Sequence, residues 1–142
     1  MKTPLSILQQ YWKHKRFRSG QLEAIESVLE DNDVFVLMPT GGGKSVCYQI
    51  PALLKKGTCL VISPLIALMN DQVTQLKNKG IKAMQISGSK TPEEISTLLD
   101  NCEYGNYTFL YVSPERIQQE WIVERLQKIT ISMLVVDEAH CV

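Results

Sequence analysis

Residues 38–45 read MPTGGGKS. The Gly-Lys-Ser ending matches the phosphate-loop template G-x-x-x-x-G-K-[ST], but Met38 stands where the template has its first glycine. Three consecutive glycines, Gly41, Gly42 and Gly43, let a backbone adopt positive φ and turn its N–H groups inward with no Cβ in the way. The apolar run Val34–Leu37 before the loop predicts a strand, and the residues from Lys44 onward predict a helix. The positive end of that helix would then face a bound anion. Lys44 is placed to reach the β- and γ-phosphates, and the Ser45 hydroxyl to join a Mg²⁺ shell. Thr40, Gly41, Gly42, Gly43, Lys44 and Ser45 are therefore the candidate nucleotide contacts.

Beyond the loop, apolar β-rich runs alternate with segments of helical period. The predicted strands are Val34–Leu37, Thr58–Ile62, Ala83–Ile86, Phe109–Val112 and Met133–Val136. None alternates polar with apolar residues, which is how strands covered on both faces read. Leu65, Leu68, Met69, Val73 and Leu76 mark one intervening helix, Ile95, Leu98 and Leu99 a second, and Ile122, Leu126 and Ile129 a third. Thr91-Pro92-Glu93-Glu94 has the form of a helix start, and Gly80 that of a helix end behind Lys77 and Lys79. Strand–helix alternation predicts an α/β fold: a parallel sheet with flanking helices and a ligand site at the carboxyl ends of the strands.

A second chemical run lies at such an end. Met133-Leu134-Val135-Val136 leads directly into Asp137-Glu138-Ala139-His140. Asp137 suits a Mg²⁺ ligand, usually through water, and Glu138 suits the base that activates an attacking water. Lys44, Asp137, Glu138 and His140 are the catalytic candidates, with Ser45 and Asp137 as the metal-facing pair and ATP with Mg²⁺ as the expected cofactors.

Composition narrows the class. The 142 residues are 44% hydrophobic and 21% charged with zero formal net charge, which disfavours a basic nucleic-acid coat over the whole surface. The balance hides an asymmetry. Lys2, Lys13, Lys15, Arg16 and Arg18 fall in the first twenty residues with no carboxylate, and five acidic residues occupy the next thirteen. Such a segment reads either as a solvated helix or as a local phosphate-attracting patch. Cys47, Cys59, Cys102 and Cys141 are widely spaced and form no C-x-x-C pair. They suit buried thiols of a reduced, cytoplasmic protein with no disulfide-linked partner. No apolar run approaches the ~18 residues of a membrane span.

Taken together, these motifs resemble the superfamily 2 helicases, and specifically the RecQ family of DNA helicases. Residues 38–53, MPTGGGKSVCYQIPAL with Met at its head, and Asp137-Glu138-Ala139-His140-Cys141 are close to that family's versions of the two motifs. Ile62–Val73 is similar to its motif Ia, Tyr111–Arg116 to motif Ib, and Phe17-Arg18-Ser19-Gly20-Gln21 to the motif that reads adenine; the likeness runs from about Leu5 to the end. The resemblance implies a P-loop NTPase of RecA-like fold: residues 1–33 form a helical, adenine-reading segment and 34–142 part of a first RecA-like domain. It makes Gln21 the adenine selector, since an amide offers one donor and one acceptor, with Arg18 as a stacking or supporting residue. His14 stands where the family often has Tyr, and reads as a solvated side chain. Ser63, Pro64, Ser113 and Arg116 are implied near the backbone of single-stranded DNA. Ser63-Pro64 and Ser113-Pro114 read equally well as helix N-caps. Trp121 reads as helix packing.

The family continues past the equivalent of Val142 with an aromatic-rich loop, a Thr-Ala-Thr motif and a second RecA-like domain carrying an arginine finger. The resemblance therefore implies a sheet truncated before its last strands. It also implies an ATP-driven 3′-to-5′ helicase acting on single-stranded and duplex DNA, in which these 142 residues alone bind ATP weakly and do not unwind. The competing expectations are a non-catalytic nucleotide- or DNA-binding module and a related translocase acting on RNA.

Overall fold

The computed structural model describes residues 2–38, 43–86 and 90–138. The chain divides into two compact units, Met1–Lys56 and Gly57–Val142.

The first unit is helical. Helix α1 (Pro4–Ile7) starts on a capping box in which Thr3 Oγ1 accepts from Ser6 N–H and the Ser6 hydroxyl accepts from Thr3 N–H. It runs into a π-helical turn, Leu8–Trp12, that ends at Lys13 with φ 61°. Helix α2 (Gln21–Leu29) and helix α3 (Val46–Leu54) follow. Ile7, Leu8, Ile25, Val46 and Ile50 pack into one cluster, with Trp12, Phe17 and Leu53 at its margin. The helix expected from Lys44 begins two residues later, since Lys44 and Ser45 form the turn ahead of it.

The second unit is a four-stranded parallel sheet in the order β2-β3-β1-β4. Its strands are β1 (Thr58–Ile62), β2 (Ala83–Ile86), β3 (Phe109–Val112) and β4 (Ile131–Val136). The inner strands β1 and β3 are buried at every position, as their unbroken apolar runs require. Between the strands lie α4 (Ile66–Asn78), α5 (Pro92–Tyr104), the short α6 (Pro114–Ile117) and α7 (Glu120–Leu126). One sheet face, Leu60, Ile62, Met84, Ile86, Leu110 and Val112, packs on Ile95, Leu99 and Cys102 of α5 and Ile122 and Leu126 of α7. Gln85, pointing the opposite way on β2, meets Asn70 of α4. The expected α/β architecture with helices on both faces is thus present, and Trp121 packs against the core as expected.

Local signals behave as read. Thr91 caps α5 through a capping box with Glu94, Pro92 sits in its first turn, and Gly80 follows the end of α4 with φ +80°. One expectation fails. Residues 34–37 form no strand: Val34, Phe35 and Leu37 are 37%, 82% and 87% exposed and join no ladder. A strand persists only where its N–H and C=O groups find partners. Among the described residues none pairs with this run, so its apolar composition alone does not make it β.

Candidate nucleotide site

Gln21 is the first residue of α2 and is only 4% exposed. Its Oε1 accepts from the Arg18 N–H at 2.8 Å, and its Nε2 donates to the Gly43 carbonyl at 2.9 Å. The amide expected to read adenine therefore joins the two ends of the first unit's candidate site, the Arg18 turn and the last glycine of the phosphate loop. One of its two N–H groups and one lone pair of its oxygen are thereby engaged inside the protein, which fixes the amide while leaving it a further donor and acceptor.

Two glycines make this geometry possible. Gly43 has φ +78°, and a Cβ there would lie 2.5 Å from Gln21 Nε2. Gly20 has φ +86°, and a Cβ there would touch Met38 Cε at 3.4 Å. Met38, the departure from the phosphate-loop template, thus packs beside the turn that launches α2. Gly20, inside the Phe17–Gln21 run, thus supplies the left-handed residue immediately ahead of α2.

Lys44 and Ser45 form the turn into α3, nine residues long. Ser45 is its N-cap in the αR region, yet its side chain makes no capping hydrogen bond. A helix start with a glycine at positive φ just before it has the donor arrangement that favours an anion. Thr40, Gly41 and Gly42 lie outside the described residues, as do His140 and Cys141. His14 is exposed, as expected of a solvated side chain.

In the second unit β4 delivers the carboxylates. Its ladder with β1 ends at Ile62↔Val136, and Asp137 N–H then donates to Ile62 O at 2.9 Å. Asp137 is 7% exposed and lies just past the carboxyl end of the strand. Its Oδ1 accepts from the Glu138 N–H at 3.0 Å, which fixes the carboxylate at the strand exit. Glu138 has φ 54°, a left-handed conformation uncommon for a residue with a Cβ. Such strained positions concentrate where a turn must aim a side chain.

The residues expected near DNA divide. Ser63 and Ser113 are buried, at 1% and 5% exposure. Ser63 Oγ accepts from Leu65 N–H at 3.4 Å, and it is not a helix cap, because Leu65 is the N-cap of α4. Ser113 is the N-cap of α6 with Pro114 behind it, but its hydroxyl makes no capping bond. Pro64 and Arg116 are partly exposed, and Arg116 Nη1 reaches Gln119 Oε1 at 3.5 Å. Only Pro64 and Arg116 of this set therefore present appreciable surface.

Hydroxyl and carboxylate donors suit a hard cation. Among the described residues no cluster of three His, Cys, Asp or Glu side chains could cage a metal. The thiols are of another kind. Cys47, Cys59 and Cys102 are free and buried, and burial pushes the Cys59 thiol up to about 12 and that of Cys102 to about 11. Among the described residues no helix is long and apolar enough to cross a membrane.

The family model for DEAD/DEAH box helicases matches residues 18–142. The ATP-dependent DNA helicase RecQ of Bacillus subtilis (strain 168) is 46% identical over 138 residues, 96% of this chain and 23% of that protein. The ATP-dependent helicase wrn-1 of Caenorhabditis elegans is 45% identical over 140 residues, 97% of this chain and 13% of that protein. The chain thus spans less than a quarter of the length of either relative. Among solved structures, the DUF1998 helicase MrfA bound to DNA and AMPPNP superposes with a TM-score of 0.80 over 99% of this chain and 21% of that one. At 18% identity that likeness speaks for the fold alone. With its glycine-rich loop, its strand-end Asp137-Glu138 pair and this family match, the chain belongs to the DEAD/DEAH box helicase family.

Proposed function

We propose that the chain is the nucleotide-binding part of an ATP-driven 3′-to-5′ DNA helicase of RecQ type, working in the cytoplasm on single-stranded and duplex DNA in replication, recombination or repair. In this reading residues 1–33 supply adenine recognition and residues 34–142 part of the first RecA-like domain. The observation that carries it is the Gln21 bridge, in which an amide suited to adenine bonds directly to the backbone of the phosphate loop.

Each candidate then has a role. Thr40, Gly41, Gly42 and Gly43 are the phosphate contacts, and Lys44 neutralises the β- and γ-phosphate charge. Ser45 and Asp137 are the oxygen donors for Mg²⁺, which supplies Lewis-acid stabilisation of the transferring phosphoryl group. Glu138 orients and deprotonates the attacking water, and His140 completes that run. Gln21 selects adenine with Arg18 supporting it. Ser63, Pro64, Ser113 and Arg116 line the DNA side, where the two buried serines act through their backbone rather than their hydroxyls. Phosphoryl transfer also requires cationic charge on the far side of the γ-phosphate. A second RecA-like domain is the partner that brings it, so the 142 residues alone bind ATP weakly and do not unwind.

The test is DNA-stimulated ATPase activity in a longer version of the protein. Lys44→Ala should lower the stimulated rate at least ~100-fold, the scale of losing a preorganised charge stabiliser. Stimulation retained in Lys44→Ala would refute the phosphate role. Unwinding of RNA but not DNA duplexes would move the protein to another branch of the family.

A further inference from the structure

Residues 13–20, KHKRFRSG, join the π-helical turn to α2 within the first unit. Lys13, Lys15 and Arg16 are all exposed, and no carboxylate occurs anywhere in residues 1–20. The segment is held in place. Trp12 just before it and Phe17 inside it pack against the Ile7, Leu8 and Ile25 cluster. Lys13 takes the left-handed region at φ 61° and ends the π-helical turn. The Lys15 carbonyl accepts from Gln9 Nε2 at 3.4 Å, and the Arg18 N–H donates to Gln21 Oε1 at 2.8 Å. Aromatic anchors and hydrogen bonds thus fix the backbone while the three cations between them stand in water.

Among the described residues no ion pair or side-chain hydrogen bond engages Lys13, Lys15 or Arg16. Three cations within four residues repel one another, whereas a surface that serves only solubility intersperses the two signs. The whole chain has zero formal net charge, so this field is local. Three exposed cations along one fixed segment suit a ligand of repeated negative charge with no edge to be read. A membrane surface would also want an apolar face beside the charges. Here Trp12 and Phe17 are spent on the unit's own cluster.

We infer that Lys13, Lys15 and Arg16 form a sequence-independent docking surface for the sugar–phosphate backbone of a nucleic-acid strand. None of the three is among the residues assigned above to nucleotide or DNA. The choice of a strand as partner rests on the DNA reading proposed above; the surface itself reads charge and not bases.

The experiment measures binding of fluorescent oligo(dT) and oligo(U) across a salt series, in the longer protein and in its triple variant Lys13→Gln, Lys15→Gln, Arg16→Gln. Each neutralised phosphate adds about 0.7 to the salt slope of log affinity on a single strand, so the variant should lose about 2 from that slope. At ~0.1 M salt its affinity should fall on the order of 100-fold, which is that slope taken over one decade from ~1 M. ATPase activity without a strand should be unchanged. The charge-preserving triple Lys13→Arg, Lys15→Arg, Arg16→Lys should keep the full slope, which a loss of folding or of loop shape alone would not predict. Binding of oligo(dT) with the same slope in the glutamine variant overturns the surface and leaves the DNA reading standing. Binding of oligo(U) alone, with the slope loss, supports the surface and overturns the DNA reading. Binding of neither strand at ~0.05 M salt, where phosphate contacts are strong, overturns both. An oligoglutamate of matched charge that competes as well as the strands reassigns the surface to an acidic peptide and overturns the inference.

Discussion

Replacing Gly43 with alanine tests whether the Gln21 bridge holds the phosphate loop. Two costs arise in the first unit. Gly43 sits at φ +78°, where a Cβ costs about 1–2 kcal/mol. The new methyl would also lie 2.5 Å from Gln21 Nε2. Because that atom ends a flexible side chain, the amide swings away rather than the backbone yielding. It then gives up its 2.9 Å bond to the Gly43 carbonyl, worth about 1 kcal/mol. Gly43→Ala should therefore destabilise the chain by about 2–3 kcal/mol in urea unfolding, a sum of the strain and the lost bond. Removing the amide first separates the two contributions. In a Gln21→Ala background there is no Nε2 to displace, so Gly43→Ala should cost only the conformational part, about 1–2 kcal/mol. The double-mutant cycle should give a coupling of about 1 kcal/mol, the expected non-additivity of residues in contact. Strict additivity, with the full cost retained in both backgrounds, would refute the bridge as the reason for this glycine.

Other outcomes follow from the same geometry. Gln21→Ala should reduce the preference of the longer protein for ATP over GTP, read as the ratio of kcat/KM values; an unchanged ratio would remove the adenine role. Thr91→Ala deletes the α5 cap and should cost about 1 kcal/mol in thermal or urea unfolding. It should also change the acid limb of stability. The bonds from the Thr91 N–H and side chain hold the Glu94 carboxyl below its ordinary value of 4.5. A depressed folded value stabilises the fold at pH above that ordinary value, and the effect fades as pH falls through the folded value. Thr91→Ala keeps the backbone N–H and removes the side-chain bond, so it should flatten that slope in part, whereas Glu94→Gln should remove it. An unchanged pH profile in Glu94→Gln would count against the capping box. The buried Cys59 thiol, pushed up to about 12, should resist alkylation at pH 8 in the native chain and react on unfolding; rapid native labelling at Cys59 would contradict its burial.

Three strands, β1, β2 and β3, match the apolar runs of the sequence residue for residue, because two of them are covered on both faces and the run length equals the buried length. Residues 34–37 carry the same kind of run and are not a strand. The distinction lies in pairing, which no local pattern encodes. The same limit applies to the site. Lys44, Asp137 and Glu138 are candidates named from motif spacing, which reports residue types and not their surroundings. The hydrogen bonds that engage Gln21, the burial of Ser63 and Ser113, and the contact of Met38 beside Gly20 are not legible, because each depends on residues distant in sequence or on packing around the chain.

Sequence by itself determined the class of this protein: alternating apolar runs and helical periods specify a parallel sheet, and MPTGGGKS with Asp137-Glu138 carries the motifs of the DEAD/DEAH box helicase family. Tertiary structure decided which groups have partners. It tied Gln21 to Gly43 across twenty-two positions and buried two serines expected to face a ligand. Residue type says what a group can bond to; only the folded chain fixes what lies within reach of it.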